Sequence, residues 1–155
     1  MTDDDAVVRD ARQEDVPLLE RVLPSGGDHA RQLANAVAGR RDFLVVTSGG
    51  VPVGTVVVRW AGIGVGGRAV PEIGSLAVAP RWRGRGLATR LVAAAERRVH
   101  DRGGRAAAMA VAETNQAALR LYLGLGYGGS GRRPAPASGA GQGDVATELV
   151  LVKEL

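Results

Sequence analysis

The chain has 155 residues, no cysteine, two histidines and a formal net charge of +4, from 20 basic and 16 acidic side chains. That length is expected to form one domain, residues 1–155, with a core of its own. The missing cysteine excludes disulfides, thiolate metal sites and a cysteine nucleophile. Two isolated histidines, His29 and His100, make a poor metal site, so no metal is expected.

The opening residues MTDDDAVVRDA carry acid where a signal peptide would carry base, and no apolar run approaches the roughly 20 residues of a membrane span. A cytoplasmic protein without a membrane partner is expected. Lys153 is the only lysine, so nearly all positive charge is arginine. Arginine suits forked recognition of phosphate, but it fits equally well the coding bias that the Ala, Gly and Val content suggests.

Val7 and Val8 read as a short first strand. Val16, Leu19 and Leu23 then recur at helical spacing, with Pro17 tolerable in the first turn. Residues 24–29 read as a loop and ARQLANAVAG as a second short helix, closed by Gly39 as a left-handed cap. Phe43–Thr47 and Val53–Trp60 are β-branched runs joined by SGGVP, the composition of a hairpin. AGIGVGGRAVP should turn the chain again into a strand over Glu72–Val78.

From Gly86 the period changes: Leu87, Leu91, Ala94, Ala95 and Val99 share one face of a helix ending near Gly103, with Arg90, Arg97 and Arg98 largely off it. RAAAMAVA, residues 105–112, reads as a buried strand parallel to its predecessor, which makes a β-α-β unit. ALRLYLGLGY alternates like a strand, yet a cap at Thr114 or Asn115 and the helix formers of NQAALR favour a helix over Asn115–Leu123. Residues 124–143 read as a flexible loop or a hairpin tip, and VATELVLVKEL as the final strand.

PRWRGRGLATRL, residues 80–91, sits at the turn between strand and helix. Such a turn presents the free N–H groups of the first helical turn and the positive end of the helix dipole, both of which favour an anion. Gly84 and Gly86 would let the backbone approach that anion, and Arg81, Arg83 and Arg85 add charge around it. The segment lacks the third glycine of a dinucleotide fingerprint and the Gly-Lys-Ser/Thr of a nucleoside triphosphate loop. A nucleic-acid partner is not expected either, because Trp82 is the only aromatic at hand. A phosphate cradle and a merely solvated basic turn both remain open on these grounds.

Arg81-Trp82-Arg83-Gly84-Arg85-Gly86 resembles the Arg/Gln-x-x-Gly-x-Gly/Ala pyrophosphate loop of the GNAT superfamily of N-acetyltransferases. The strand, loop and helix EIGSLAVAPRWRGRGLATRLVAAAE are similar to that family throughout. TNQAALRLYLGLGY resembles its Asn-x-x-Ala-x-x-x-Tyr-x-x-x-Gly-Phe segment, with Tyr127 in place of phenylalanine and a departure at Gly124. The resemblance implies an α/β fold of the α+β kind: a mixed, mostly antiparallel central sheet flanked by helices, with a parallel β-α-β unit that binds acyl-CoA.

The resemblance also assigns roles. Acetyl-CoA is the expected cosubstrate, held by Leu76, Ala77 and Val78 at a strand bulge, by Arg81, Arg83, Gly84, Arg85, Gly86, Leu87, Ala88 and Thr89 around the pyrophosphate, and by Asn115 and Ala118 along its arm. Acetyl transfer needs a base for the amine and an acid for the departing thiolate. Glu72 stands where the family places the base, against the alternative of a surface ion pair, and Tyr122 where it places the acid, against a plain core aromatic. With no cysteine, transfer is expected to be direct, in a ternary complex, to a small-molecule amine or a protein N-terminus. A non-catalytic acyl-CoA-binding module is the alternative, and pairing through the final strands is a route to a homodimer. Asp28 and Arg132 are candidates for the acceptor side.

Overall fold

A computed structural model of the chain describes residues 5–24, 27–134 and 147–155. β1 (Val7–Asp10) leads into α1 (Asp15–Val22) and α2 (His29–Val37). β2 (Arg41–Ser48), β3 (Val51–Val65) and β4 (Arg68–Val78) then form an antiparallel meander. A single 3-10 turn at Pro80–Trp82 precedes α3 (Leu87–Asp101), followed by β5 (Ala106–Ala112), α4 (Gln116–Gly124), β6 (Gly128–Pro134) and β7 (Thr147–Glu154). The strands make one sheet in the order β1-β2-β3-β4-β5-β7-β6, antiparallel except where β4 meets β5. This is the expected mixed sheet. Among the described residues no helix is long and apolar enough to cross a membrane.

The sheet is covered on both faces, which is why the centre of β2 is a continuous apolar run rather than an alternating one. Successive side chains point to opposite faces. Leu44 and Val46 join Val56, Val58, Ile73 and Met109 under α3, whose buried stripe is Leu87, Leu91, Val92, Ala95 and Val99. Phe43 and Val45 join Val57 under α1 and α2, against Leu19, Leu23 and Leu33. Asp28 caps α2 by accepting from the Arg31 N–H at 3.0 Å, and Gly39 just beyond the helix has φ +78°, the left-handed turn expected of it.

Three readings need correction. AGIGVGGRAVP is not one long turn: β3 continues to Val65 and β4 starts at Arg68, with the reversal confined to Gly66 and Gly67 at φ +56° and +83°. Gly62 is absorbed as an irregularity inside β3, where the pairing with β4 shifts between Arg59 and Ile63 and a Cβ would run into the Val70 carbonyl. Secondly, part of the expected loop is strand: β6 pairs with β7 from Gly128 opposite Val152 to Pro134 opposite Thr147. Partner pairing supplies the order that glycine composition hides. Residues 135–143 of that expected loop and the first two residues, 145 and 146, of the expected final strand lie outside the described residues, as do residues 25 and 26 of the earlier loop. Thirdly, the β4 bulge begins one residue before Leu76. Ala77 pairs with Thr55 and Gly74 with Val57, so Ser75 and Leu76 together face Val56, and Ser75 takes φ +48°.

Candidate active site

β4 and β5 register at Glu72 opposite Ala108, and beyond that point a cavity of about 540 Å³ opens between β4, the turn into α3, and α4. Its walls are Leu76, Ala77 and Val78 from the bulged strand, Trp82, Arg83, Gly84, Gly86, Leu87, Ala88 and Thr89 from the turn, and Asn115, Ala118, Leu121 and Tyr122 from α4. Most of the residues singled out from the sequence thus meet in one place. Arg81, Arg85 and Glu72 do not line it.

The turn is built for an anion. Gly84 and Gly86 have φ +76° and +77°, a conformation that favours glycine, and no protein atom stands within 4 Å of where their Cβ atoms would be. The glycines are therefore required by the path of the chain and not by packing. Gly86 is the N-cap of α3 and no side chain caps that helix. The first helical bond runs from the Arg90 N–H to the Gly86 carbonyl at 3.1 Å, which leaves the N–H groups of Leu87, Ala88 and Thr89 without helical acceptors. These donors and the helix dipole fit a pyrophosphate.

The arginines around the turn are partly committed to the protein itself. Arg83 donates from Nε to the Val78 carbonyl at 3.0 Å, which ties the turn back to β4. Arg85 donates to the Arg81 carbonyl at 3.3 Å and stacks over the Trp82 ring, 4.7 Å from its centroid. Trp82 was not singled out as a wall of the site, although its position inside the loop motif offered the signal. Leu121, three residues past Ala118, was missed as well, and helical spacing could have found it.

On α4, Asn115 caps the helix by accepting from the Ala118 N–H at 3.1 Å, so its amide nitrogen remains the group to offer a ligand. Tyr122 is partly buried against the core cluster. Burial pushes its phenol up from the usual value, so the hydroxyl is neutral throughout the physiological range. Among the described residues that hydroxyl has no protein partner. Tyr127 differs: it is 2% exposed and donates its hydroxyl to Glu96 Oε2 at 2.7 Å, which explains a tyrosine at a position where phenylalanine was expected.

Glu72 lies at the shoulder of the site. Its side chain is 13% exposed, and Oε2 accepts from Arg133 Nη2 at 3.2 Å and stands 4.0 Å from Arg59 Nη1. Arg133 in turn donates from Nε to Glu148 at 3.1 Å. Arg59 donates to the hydroxyl of Ser75 at 2.8 Å, and Gln32 of α2 reaches the same hydroxyl at 3.4 Å while accepting from Arg41 at 2.7 Å. Nothing local in the sequence marks this polar row, because strand pairing assembles it. Asp28 acts as a helix cap, and Arg132 pairs with Glu113 at 2.8 Å.

A strand bulge, a glycine turn at a helix start and a facing helix, together around one cavity, define a protein that binds an acyl-nucleotide carrier. The chain matches the acetyltransferase (GNAT) family over residues 8–127, and it belongs to that family of acyltransferases, whose members use acetyl-CoA. Among solved structures it is similar to a ribosomal-protein-alanine N-acetyltransferase from Brucella melitensis, with TM-score 0.77, 20% identity, and coverage of 96% of this chain and 99% of that one. Ard1 from Thermoplasma volcanium matches with TM-score 0.76, 19% identity, and 97% and 98% coverage. A GNAT family acetyltransferase from Elizabethkingia anophelis with acetyl-CoA bound matches with TM-score 0.69, 15% identity, and 98% and 99% coverage. At these identities the likeness is one of fold. No curated protein matches the chain by sequence.

Proposed function

We propose that this chain transfers an acetyl group from acetyl-CoA directly to a primary amine, either of a small molecule or of a protein N-terminus. The single observation that carries the reading is the continuity of the cavity, from the Gly84–Gly86 turn past the β4 bulge to Tyr122. Acetyl-CoA, when bound, supplies the activated thioester. Gly84, Gly86 and the amides of Leu87, Ala88 and Thr89 would hold its pyrophosphate, with Arg81, Arg83 and Arg85 adding charge, and Leu76, Ala77, Val78, Asn115 and Ala118 would line its arm.

The remaining chemistry belongs to side chains. Glu72 accepts the proton of the incoming ammonium, directly or through water, and the Tyr122 hydroxyl gives one to the departing thiolate. Backbone N–H groups at the Ser75–Leu76 bulge, released from the β ladder, stabilise the developing oxyanion. Burial keeps the Tyr122 hydroxyl protonated in the physiological range, as a proton donor to the thiolate requires. The ribosomal-protein-alanine and N-terminal acetylating enzymes of similar fold make a protein α-amine one acceptor to try, alongside free small amines.

A second reading, a non-catalytic acyl-CoA-binding module, draws on one fact: Glu72 does not line the cavity and its Oε2 is already engaged by arginine. Thiol release from acetyl-CoA across a panel of amines separates the two. Release that falls with Glu72→Gln and with Tyr122→Phe supports catalysis, and initial-rate lines that intersect support direct transfer. Parallel lines would contradict it, and acetyl-CoA binding without release by any amine would favour the module.

A further inference from the structure

We propose that Arg41 and Arg59 form an anion-binding subsite that selects acceptor amines carrying a carboxylate, as amino acids do. The inference rests on the acetyl-transfer reading above.

The two arginines are directly opposite each other on β2 and β3, and Arg59 is directly opposite Glu72 on β4. All three therefore project from the same face of the sheet, the face that α2 partly covers. Like charges directly opposite in a sheet are destabilising, and here they are half-buried. Burial lowers the pKa of Arg41, the positive charges of Arg59 and Arg31 lower it further, and Glu72 works the other way. Among the described residues Arg41 forms no ion pair, and its hydrogen-bond partner is the neutral amide oxygen of Gln32. Glu72 is shared between Arg59 and Arg133, so it cannot neutralise the row.

The backbone is also shaped for this row. A Cβ on Gly74 would run into Nη1 of Arg59, so the guanidinium lies over a position kept bare for it. Ser75, held at φ +48° in the bulge, turns its hydroxyl to receive the other end of that guanidinium. Two guanidinium forks beside a proton-accepting carboxylate, Arg59 at 4.0 Å from it and Arg41 held by a neutral amide, are suited to a ligand with the opposite pattern. Guanidinium takes carboxylate by two parallel hydrogen bonds, and Glu72 takes ammonium. Arg59 Nη1 and Glu72 Oε2 are 4.0 Å apart, so one ligand that carries an ammonium and a carboxylate on the same carbon, as an amino acid does, can meet both.

The test uses the full chain, acetyl-CoA, and the common L-amino acids, each paired with its own amide. Thiol release should favour at least one acid over its amide by roughly 10- to 100-fold in kcat/KM, the range for losing a charge-assisted hydrogen bond, with the difference carried by KM. Arg41→Gln and Arg59→Gln should each shrink that gap, and Arg41→Lys should restore part of it. Acetyl-CoA titration of every variant checks folding, since neither arginine lines that cavity. The comparison of acids with amides on the native chain needs no variant. Acids no better than their amides, or a preference untouched by both glutamine variants, would overturn the subsite while leaving acetyl transfer standing. Failure of the native chain to bind acetyl-CoA would overturn both.

Discussion

The Glu72 carboxylate is held 3.2 Å from the guanidinium of Arg133, a residue 61 positions further along the chain on β6. The proposed proton acceptor is thus oriented by a strand from the other side of the sheet's parallel pair. Both of its arginine contacts fall on Oε2. Glu72→Gln should lower kcat by about 10²- to 10⁴-fold, the usual contribution of a general base, with acetyl-CoA affinity retained by calorimetry. Arg133→Gln should act only through position, with a smaller loss.

Tyr122 carries a pKa prediction. Burial raises its phenol above the ordinary value near 10. A raised acid keeps its proton to higher pH, so deprotonation of Tyr122 should not reduce the rate anywhere below pH about 10. Tyr122→Phe should be slow across the whole profile rather than only in base. A steady-state pH–rate profile of both proteins checks this, and a native alkaline limb below pH about 9 that vanishes in Tyr122→Phe would contradict it.

Tyr127, Glu96 and Lys153 form a polar group at the edge of the core, with Lys153 Nζ 3.1 Å from Glu96 Oε2. Burial first, and then the Glu96 hydrogen bond and charge, hold the Tyr127 phenol far above its usual value. Because the folded value is raised, the stabilisation is complete below the unfolded value near 10 and is lost as pH rises beyond it. Urea unfolding should show a steeper alkaline loss of stability for the native chain than for Tyr127→Phe. Glu96→Ala, which leaves the buried hydroxyl unsatisfied, should cost about 1–3 kcal/mol at neutral pH.

Asp15 titrates with the opposite sign. It is 2% exposed and takes two hydrogen bonds from Arg9, at 2.7 and 2.9 Å, and one from the Arg12 N–H at 2.7 Å. Burial alone would raise its carboxyl, but these bonds and the two arginine charges outweigh it and the value falls below 3.8. The stabilisation is therefore present above the unfolded value and is lost as pH falls through the folded one. Asp15→Asn should cost about 1–3 kcal/mol at pH 7 by removing the charge that the Arg9 and Arg12 hydrogen bonds meet, and the difference from the native chain should disappear in acid.

The cavity proposed for acyl-CoA was legible because its parts are local. A strand, a glycine turn and a helix follow each other within residues 72–96, and Asn115, Ala118 and Tyr122 recur at helical spacing. Helix α4 was legible from its cap at Asn115 and the helix formers of NQAALR, against the strand-like alternation of its leucines, and the family pattern agrees. What could not be read was made by pairing between distant segments. Arg41 and Arg59 look like two surface residues until β2 and β3 align them. Gly128–Pro134 has no β-branched residue and becomes a strand only against β7. The glycines of β3 suggested a turn because a bulge at Gly62 and a reversal at Gly66–Gly67 use the same residue type.

The most direct test of the central claim is calorimetric titration with acetyl-CoA of the native chain and of Gly84→Asp, whose carboxylate would enter the open space beside the turn. Binding by the native chain should be lost or weakened by at least about tenfold in the variant, as expected for an unpaired charge against phosphate, with circular dichroism unchanged. No binding by the native chain, or equal binding by both, would contradict the assignment of the Gly84–Gly86 turn as the pyrophosphate site.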